Sequence, residues 1–209
     1  MRESVAPPDD GYFKKRIAYE HRGMRFEFDV AHTIFSSFQI DDGTDLLLRT
    51  LDIAATPRRI IDMGCGCGVI GVVLARLFPT ADVLAVDRDL LAVRYAQHNA
   101  RLNGATNVRA IGSIGFESVP ADQYDLIVSN VPAKIGDDAI DAEFIRAPLA
   151  HLAPTGAYWF VVVSGLNRLI PALGTAQQLR LRQMRKRSGH AVYRLLPTDR
   201  GGGGAPMEV

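Results

Sequence analysis

Apolar positions in the central part of the chain follow two different spacings, and their alternation predicts a repeated strand–helix fold. Short runs of aliphatic residues are typical of buried strands, whereas apolar residues three and four positions apart are typical of helices. Strands are predicted at 59–63, 82–87, 107–112, 124–129 and 157–163, and helices at 68–78, 89–103, 138–152 and 166–174. Repeated strand–helix units indicate a parallel sheet that is covered by helices on both faces.

The N-terminal part of the chain has a different pattern. Apolar and polar residues alternate through residues 16–30 on both sides of Gly23, which predicts a β-hairpin. An apolar helix face follows at 46–51, and either Asp42 or Thr44 can serve as the N-cap of that helix. We therefore expect a hairpin that one helix joins to the parallel sheet.

The C-terminal part of the chain is predicted to be antiparallel. Residues 178–187 and 190–195 form two extended runs, and Ser188 and Gly189 between them are typical of a tight turn. The whole pattern predicts an α/β fold with a doubly wound, mostly parallel seven-stranded sheet that ends in an antiparallel hairpin.

Length and composition are consistent with one domain and small additions. The chain has 209 residues, of which 47% are apolar and 22% are charged, as in ordinary globular proteins. We expect an N-terminal extension with the hairpin at 1–43, the main domain at 44–197 and a disordered tail at 198–209. The net charge of +1 neither favours nor excludes a nucleic-acid partner, because local patches matter more than the total.

The cysteines and the lengths of the apolar runs indicate the cellular compartment of the protein. Cys65 and Cys67 are too close together to cross-link a domain, so we expect a reducing, cytoplasmic location. The N-terminal residues lack the apolar core of a signal peptide, and no apolar run has membrane-spanning length. Because no Cys or His pair has the spacing of zinc ligands, we expect no metal site.

A glycine-rich segment after the first central strand is the most informative motif. From Asp62 to Gly68 the chain reads Asp-Met-Gly-Cys-Gly-Cys-Gly, between a buried strand and an apolar helix. Glycines at a strand–helix turn tolerate positive φ and let the backbone approach a ligand closely. Asp87 ends the next strand. A strand, a glycine loop, a helix and an acid after the second strand indicate a site for a nucleoside cofactor.

Two cofactor classes fit this motif. Residues 66–71 satisfy the dinucleotide pattern Gly-x-Gly-x-x-Gly, and Asp87 is at the distance expected of a ribose-binding acid. The alternative pattern is Asp-x-Gly-x-Gly-x-Gly, which begins with a carboxylate at Asp62. A carboxylate there disfavours a pyrophosphate and is compatible with S-adenosylmethionine, which carries a sulfonium and an ammonium group. Asp62 can alternatively serve only as the cap of the turn.

The segment after the fourth central strand favours the second class. Asn130, Val131 and Pro132 follow the strand predicted at 124–129, and ligands of open α/β sheets bind beyond the carboxyl ends of the strands. An Asn amide both donates and accepts hydrogen bonds, so it can hold an amine with its lone pair aimed at a methyl carbon. Taken alone, the same three residues are also typical of an ordinary strand-ending turn.

These motifs together resemble a class I S-adenosylmethionine-dependent methyltransferase. More narrowly, the chain resembles the small methyltransferase domain of the guanine-N2 enzymes known as ribosomal RNA small subunit methyltransferase C. The resemblance is carried by Phe35 to Thr44, Asp62 to Gly71, Val86 and Asp87, Ser129 to Pro132, and Gly189 to Arg194. It implies a Rossmann-like fold, methyl transfer to an exocyclic amine of a base and an RNA partner.

The resemblance also implies roles for individual residues. The cofactor-binding residues would be Thr44, Asp62, Gly64, Cys65, Gly66, Gly68, Asp87, Arg88, Ser113, Ile114 and Asn130, and the catalytic residues Asn130 and Pro132. In this scheme the glycine loop shapes the methionine pocket, Asp87 accepts from the ribose hydroxyls and Arg88 flanks the adenine. Asn130 and Pro132 face the target nitrogen.

The chain departs from the family pattern in the catalytic loop and in the segment near the adenine. The family sequence at the catalytic loop is Asn-Pro-Pro-aromatic, whereas this chain has Val131 and Ala133 at the second and fourth positions. An acid expected near the adenine is replaced by Ile114, so Ser113 and backbone groups would hold the adenine. These departures leave open a small-molecule or protein-amide acceptor. An NAD-dependent oxidoreductase is the less favoured alternative.

Basic residues cluster near both ends of the chain. Arg180, Arg182, Arg185, Lys186 and Arg187 form a run without acids, and a second cluster lies at 14–25. Such residues can bind RNA phosphates, but charges on an edge strand also protect a sheet from aggregation. Both interpretations stay open. Other side chains are expected to be structural, with Tyr95 and Trp159 in the core and His98 on a helix surface.

Overall fold

The computed structural model describes residues 5–34 and 39–197, and both the predicted disordered tail and residues 35–38 lie outside this part of the chain. The strands are β1 (Phe13–His21), β2 (Met24–Ala31), β3 (Arg59–Met63), β4 (Asp82–Asp87), β5 (Val108–Gly112), β6 (Tyr124–Asn130), β7 (Leu152–Val163), β8 (Arg180–Arg187) and β9 (His190–Leu196). The α-helices are α1 (Asp42–Thr50), α2 (Val69–Leu77), α3 (Leu90–Leu102), α4 (Asp137–Ala139), α5 (Ala147–His151) and α6 (Leu169–Ala176). A π-helical stretch, Ile140–Arg146, connects α4 to α5, and a short 3₁₀ turn, Ser164–Leu166, follows β7.

The central sheet has the predicted doubly wound topology. Its order is β5-β4-β3-β6-β7-β9-β8, in which the first five strands are parallel and β9 is antiparallel to both of its neighbours. The chain winds outward from β3 to β5 and then returns to the other side of β3 with β6. This reversal opens a crevice beyond the carboxyl ends of β3 and β6, where open α/β sheets bind ligands.

Helices cover both faces of the sheet and bury two separate hydrophobic clusters. One cluster combines α1, α2, α3 and the β1–β2 hairpin with alternate residues of the central strands. It includes Tyr95 of α3 and Trp159 of β7. The other combines the π-helical stretch and residues beside α5 and α6 with the intervening strand residues. Trp159 and Tyr95 are 1% and 0% exposed, so their predicted place in the core is confirmed.

The N-terminal hairpin is attached to α3 through side-chain amides. Asn99 accepts from the backbone N–H of Asp29 (2.8 Å) and donates to its carbonyl (2.9 Å), and Asn103 pairs in the same way with Glu27 (3.0 and 2.7 Å). The amides therefore complete the hydrogen bonding of the β2 edge. His98 does not lie on the helix surface as predicted. Its ring nitrogen is 2.7 Å from the fully buried Asp29 carboxylate.

The N-cap of α1, the helix predicted at 138–152 and the start of β7 differ from the prediction. The N-cap of α1 is Asp41, whose carboxylate accepts from the Thr44 N–H, and not Asp42 or Thr44. The helix predicted at 138–152 is divided by the π-helical stretch, after which Pro148 lies at the start of α5. β7 begins five residues earlier than predicted, because Gly156 lets the strand approach β6 closely: a Cβ there would lie 2.7 Å from the Tyr124 carbonyl oxygen.

None of the helices in the described part of the chain is long and apolar enough to cross a bilayer.

Candidate functional site

A cavity of about 620 Å³ lies at the carboxyl edge of the sheet, above the point where the strand order reverses. Its walls come from the glycine loop after β3, the residues after β4, β5 and β6, the N-terminus of α1, the π-helical stretch and the start of β9. The volume is within the range of small-molecule and cofactor sites. The fold thus gathers in one place segments that are far apart in the sequence.

Backbone hydrogen bonds attach the glycine loop to β4. The N–H groups of Gly64 and Cys65 both donate to the Val86 carbonyl, at 2.8 and 3.0 Å. Gly64 has a φ of +69° and Gly66 a φ of +52°, in the left-handed region where a side chain causes strain. Gly64, Cys65 and Gly66 all line the cavity. The loop therefore presents backbone to any ligand that the cavity binds.

Gly68, the last glycine of the motif, serves helix packing. It is the N-cap of α2 with a φ of +85°, and a Cβ there would lie 2.9 Å from the Cα of Ala96 on α3. Gly68 is not part of the cavity wall. This glycine lets α2 begin directly against α3.

Asp87 connects the loop to the mouth of the cavity. Its Oδ2 accepts from the N–H of Gly66 and its Oδ1 from the N–H of Asp89, both at 2.9 Å. Each carboxylate oxygen retains a lone pair after these bonds, and Asp87 lines the cavity. The carboxylate is thus held rigidly and can still accept from two hydroxyl groups of a ligand.

Asp62 lies beneath the loop and not in the cavity wall. Its side chain is 0% exposed, and its Oδ2 accepts from the N–H of Gly71 at 2.8 Å. The other oxygen, Oδ1, is buried without a hydrogen-bond partner. Burial, and secondarily the charge of Asp87, raise the pKa of Asp62 to about 7. A Cβ at Gly71 would lie 3.1 Å from Asp62 Oδ2, so the glycine makes room for this carboxyl group.

Asn130 is oriented by the N-terminus of α1. Its Nδ2 donates to Oδ2 of Asp41 at 2.7 Å and to the hydroxyl oxygen of Thr44 at 3.1 Å. A carboxylate only accepts, so Asp41 fixes which end of the amide faces it. The amide oxygen, Oδ1, is then the group that Asn130 offers to a ligand in the cavity. Thr44 and Asn130, which the sequence analysis placed in one site, do meet, and Asp41 joins them.

Of the other predicted site residues, three line the cavity and one does not. Arg88, Ser113 and Pro132 line the cavity. The Ser113 hydroxyl oxygen accepts from the N–H of Ser118 at 2.9 Å, which folds the loop after β5 back on itself. Ile114 is not brought into the site: it is 60% exposed and does not line the cavity.

Several residues that line the cavity, among them Asp41, Glu143 and Phe144, were not assigned a role from the sequence. Asp41 was detectable as an acid three residues before Thr44, the spacing of a helix cap. Phe144 and Glu143 belong to the π-helical stretch, a deviation that the sequence does not reveal. His190 contacts the start of α1, because a Cβ at Gly43 would lie 2.9 Å from its ring.

The cavity wall carries more acid than base. Its carboxylates are Asp41, Asp87, Asp89 and Glu143, and its cationic side chains are Arg88 and Lys134. Four negative against two positive groups favour a ligand with positive charge over a diphosphate. The charge of the cavity thus matches the sulfonium-bearing cofactor better than a dinucleotide.

The two cysteines of the loop are buried thiols. Cys65 and Cys67 are 8% and 5% exposed, and both are free. Burial raises the pKa of the Cys67 thiol to about 12, and burial together with nearby carboxylates raises that of Cys65 as well. Both therefore stay protonated at neutral pH and contribute apolar surface. Among the residues that the structure describes, no three Cys, His, Asp or Glu side chains are grouped as metal ligands.

A doubly wound sheet with a glycine loop at its reversal point and an acid at the end of the neighbouring strand defines a class of enzymes that bind nucleoside cofactors. A family model, the methyltransferase small domain, matches residues 25–194. This chain belongs to that family, whose methyl donor is S-adenosylmethionine. The family match excludes the NAD-dependent oxidoreductase that the sequence analysis kept as a less favoured alternative.

Similar sequences include two ribosomal RNA methyltransferases. The chain is 35% identical to ribosomal RNA small subunit methyltransferase C of Hahella chejuensis over 141 residues, 66% of this chain and 39% of that protein. It is 33% identical to ribosomal RNA large subunit methyltransferase G of Streptomyces avermitilis, over 61% of this chain and 34% of that protein. The uncharacterized protein YbxB of Bacillus subtilis is 31% identical over 71% of this chain and 74% of its own length. The chain thus spans well under half of the two named enzymes.

The fold is shared with solved methyltransferases. The T. thermophilus 16S rRNA N2 methyltransferase RsmC, solved in complex with AdoMet and guanosine, superimposes with a TM-score of 0.76 and 22% identity, over 92% of this chain and 53% of that one. A ribosomal protein L11 methylase from Lactobacillus delbrueckii gives a TM-score of 0.64 with 21% identity, over 75% of this chain and 78% of that one. These likenesses confirm the Rossmann-like methyltransferase fold.

Proposed function

We propose that this protein transfers the methyl group of S-adenosylmethionine to the exocyclic amine, N2, of a guanine base in ribosomal RNA. The proposal is supported by the family of the chain, by relatives that are named as ribosomal RNA methyltransferases, and by a solved neighbour that is named as an N2 enzyme. The relatives differ in the ribosomal subunit they are named for, so the proposal does not specify the subunit.

The charge, volume and lining residues of the cavity support S-adenosylmethionine as its ligand. S-adenosylmethionine supplies a methyl group on a positively charged sulfur, which leaves as a neutral thioether. Asp87 would accept from the ribose hydroxyls through its free lone pairs, and the backbone of Gly64 and Gly66 would lie against the methionine part. Arg88 and Ser113 border the region where the adenine would bind. Asp62 supports the loop from beneath, because it is buried and bonded to Gly71.

The orientation of Asn130 is the observation that carries the proposal. Its Nδ2 donates to Asp41, the N-cap of α1, and to Thr44, so the amide oxygen would be the group that meets a ligand. An amine acceptor has N–H groups to donate to that oxygen, which would orient its lone pair and stabilise the positive charge that develops on nitrogen. No strong general base is needed before such a transfer, and positioning contributes most of the acceleration.

The loop after Asn130 bears on the choice of acceptor. Pro132, Ala133 and Lys134 line the cavity, and Ala133 offers no aromatic surface on which a base could stack. Phe144 lines another part of the wall and is 5% exposed. A small-molecule or protein-amide acceptor is therefore the alternative that the experiment must separate from RNA.

Transfer of a tritiated methyl group tests the proposal. The protein is incubated with labelled S-adenosylmethionine and, in separate reactions, with ribosomal subunits, protein-free ribosomal RNA and a small-molecule extract. The proposal predicts label in RNA. Label confined to small molecules or to ribosomal proteins would show that the RNA assignment is wrong. Titration calorimetry with S-adenosylhomocysteine on the same preparation reports separately on the cofactor site.

A further inference from the structure

One edge of the seven-stranded sheet is strongly basic. β8 is the last strand of the sheet, and five of its eight residues are Arg or Lys, without an acid. Arg182, Arg185 and Arg187 are exposed. None of the three takes part in an ion pair with another residue in the described part of the chain. These three arginines therefore carry positive charge that no ion pair within the described fold neutralises.

The strand register places these three arginines on the same face. β8 pairs Arg182 with Arg194, Arg185 with Val192, and Arg187 with His190. Directly opposed residues of antiparallel strands project from the same face, and the three partners are every second residue of β9. Residues 182 and 185 would project from opposite faces in a regular strand. The irregularity between Gln183 and Arg185 brings them back into phase.

The row of arginines leads to the cavity. His190, which lies opposite Arg187, lines the cavity and contacts the start of α1. Two steps of two residues along β9 separate the ends of the row, a distance of about 14 Å. The row also lies on the sheet face that α1 covers. Val192 lies opposite Arg185 and belongs, with Trp159, to the hydrophobic cluster that includes residues of α1. The row therefore runs along the edge strand and ends at Arg187, opposite the cavity-lining His190, while Arg185 is level with Asn130 across β9 and β7.

We propose that Arg182, Arg185 and Arg187 bind successive phosphates of the RNA substrate and direct its strand into the cavity at His190. The inference rests on the proposed function, and it names a surface that the catalytic site does not contain. Guanidinium groups form two parallel hydrogen bonds to phosphate, so a row of them suits a phosphate backbone. Such contacts fix the register of a nucleic acid, while the cavity selects the base.

Protection of the sheet edge is the competing role of these arginines, and charge reversal separates the two. A charge of either sign protects an edge strand from pairing with another chain, whereas only a positive charge attracts phosphate. The informative variants are therefore a triple change to glutamate and a triple change to lysine at positions 182, 185 and 187. Arg109→Glu is the matched control, because Arg109 is exposed on β5, the opposite edge strand.

RNA binding is measured by fluorescence anisotropy with a fluorescein-labelled 16S rRNA transcript, and cofactor binding by calorimetry with S-adenosylhomocysteine. The triple glutamate variant is expected to bind RNA about tenfold or more weakly with unchanged affinity for S-adenosylhomocysteine, while the triple lysine variant and Arg109→Glu stay near the wild type. Wild-type RNA affinity in the triple glutamate variant, or an equal loss in Arg109→Glu, overturns the inference. Absence of RNA binding by the wild type overturns it too, whereas failure to bind S-adenosylhomocysteine contradicts only the proposed cofactor.

Discussion

At the scale of single residues, three carboxyl groups at one edge of the sheet perform different tasks because their partners differ. Asp87 is held by two backbone N–H groups and stays accessible. Asp41 caps α1 and orients Asn130. Asp62 is buried under the loop with one oxygen unpaired. Their chemical environments therefore lead to separate predictions.

Asp62 makes the stability of the protein depend on pH. Its pKa is raised from 3.8 to about 7, so the folded protein keeps a proton in this range that the unfolded chain releases. The contribution of this group to the free energy of unfolding therefore falls as the pH rises from about 4 to about 7, and it stays low above that range. Asp62→Asn removes the titration. Urea unfolding of both proteins at pH 5 and pH 8 should show the variant gaining stability relative to the wild type at the higher pH. A difference that does not change with pH would contradict this assignment.

Asn130 and Asp41 are expected to control the rate of methyl transfer. Asn130→Ala removes the amide and should lower kcat by about 10²–10³, as loss of a transition-state hydrogen bond does. Asp41→Asn is the sharper variant, because Asn caps a helix as well as Asp does but no longer fixes the orientation of the Asn130 amide. We expect kcat to fall by about tenfold with little change in the KM for S-adenosylmethionine. Wild-type kcat in Asp41→Asn, with the thermal midpoint unchanged, would show that the orientation of the amide is unimportant.

At the scale of secondary-structure elements, α3 connects the N-terminal hairpin to the glycine loop. Asn99 is fully buried and binds both backbone groups of Asp29, and its Nδ2 also donates to the Cys67 carbonyl at 2.8 Å. Asn103 makes the same pair of bonds to Glu27 but does not reach the loop. The two amides thus share the task of attaching the hairpin, and only Asn99 also supports the cofactor loop.

This difference predicts different effects of two matched substitutions. Asn99→Ala and Asn103→Ala should both destabilise the protein by about 1–3 kcal/mol, because each leaves buried backbone groups unpaired. Only Asn99→Ala should also weaken the binding of S-adenosylhomocysteine, which calorimetry measures below the unfolding temperature of both variants. Equal cofactor affinity in the two variants would show that the loop does not depend on Asn99.

The close packing of α2 against α3 at Gly68 leads to a prediction about the stability of the protein. Gly68→Ala forces a Cβ to within 2.9 Å of the Ala96 backbone at a φ of +85°. We expect a loss of stability of several kcal/mol, since both the strain and the clash act on buried helices. Gly64→Ala is the control, with a similar positive φ and no atom within 4 Å of its Cβ. Thermal unfolding should show the smaller loss there, and equal losses would contradict the packing role.

The elements were predictable where local pattern and tertiary structure agree. The parallel strands were found because buried strands are continuous apolar runs, and the C-terminal hairpin because Ser188 and Gly189 interrupt two extended runs. The helix predicted at 138–152 is divided by a π-helical stretch, which the sequence did not reveal. The spacing of apolar residues in a π-helix differs from that in an α-helix by only about one residue per turn. The early start of β7 was missed because Pro154 and Gly156 are poor strand formers.

The site was predictable where a motif is contiguous in the sequence. Gly64, Cys65 and Gly66 of the glycine loop, together with Asp87 and Asn130, were predicted from their places after strands, and they line the cavity. Asp41 was missed because its importance arises from Asn130, 89 residues away along the chain. Ile114 was included through the family pattern alone, and its exposure of 60% shows that position in a motif does not determine where a side chain points.

At the scale of the whole molecule, the sheet brings the residues that line the cavity together at the carboxyl ends of its parallel strands. The reversal of strand order between β3 and β6 opens the cavity, and the antiparallel β8–β9 pair extends the sheet beyond it. The first half of the sheet would bind the cofactor through Asp87, and the second half would bring the acceptor to Asn130. The basic edge at β8 is then on the acceptor side of the molecule, as RNA binding requires.

The central claim is that this cavity methylates guanine N2 in ribosomal RNA. The most direct measurement is mass spectrometry of the nucleosides released from ribosomal RNA after incubation with the protein and S-adenosylmethionine that carries a trideuterated methyl group. We expect trideuterated N2-methylguanosine with the wild type and a loss of about 10²–10³ in its rate of formation with Asn130→Ala. Calorimetric binding of S-adenosylhomocysteine without any deuterated nucleoside in RNA, or deuterium on a different nucleoside, would contradict the central claim.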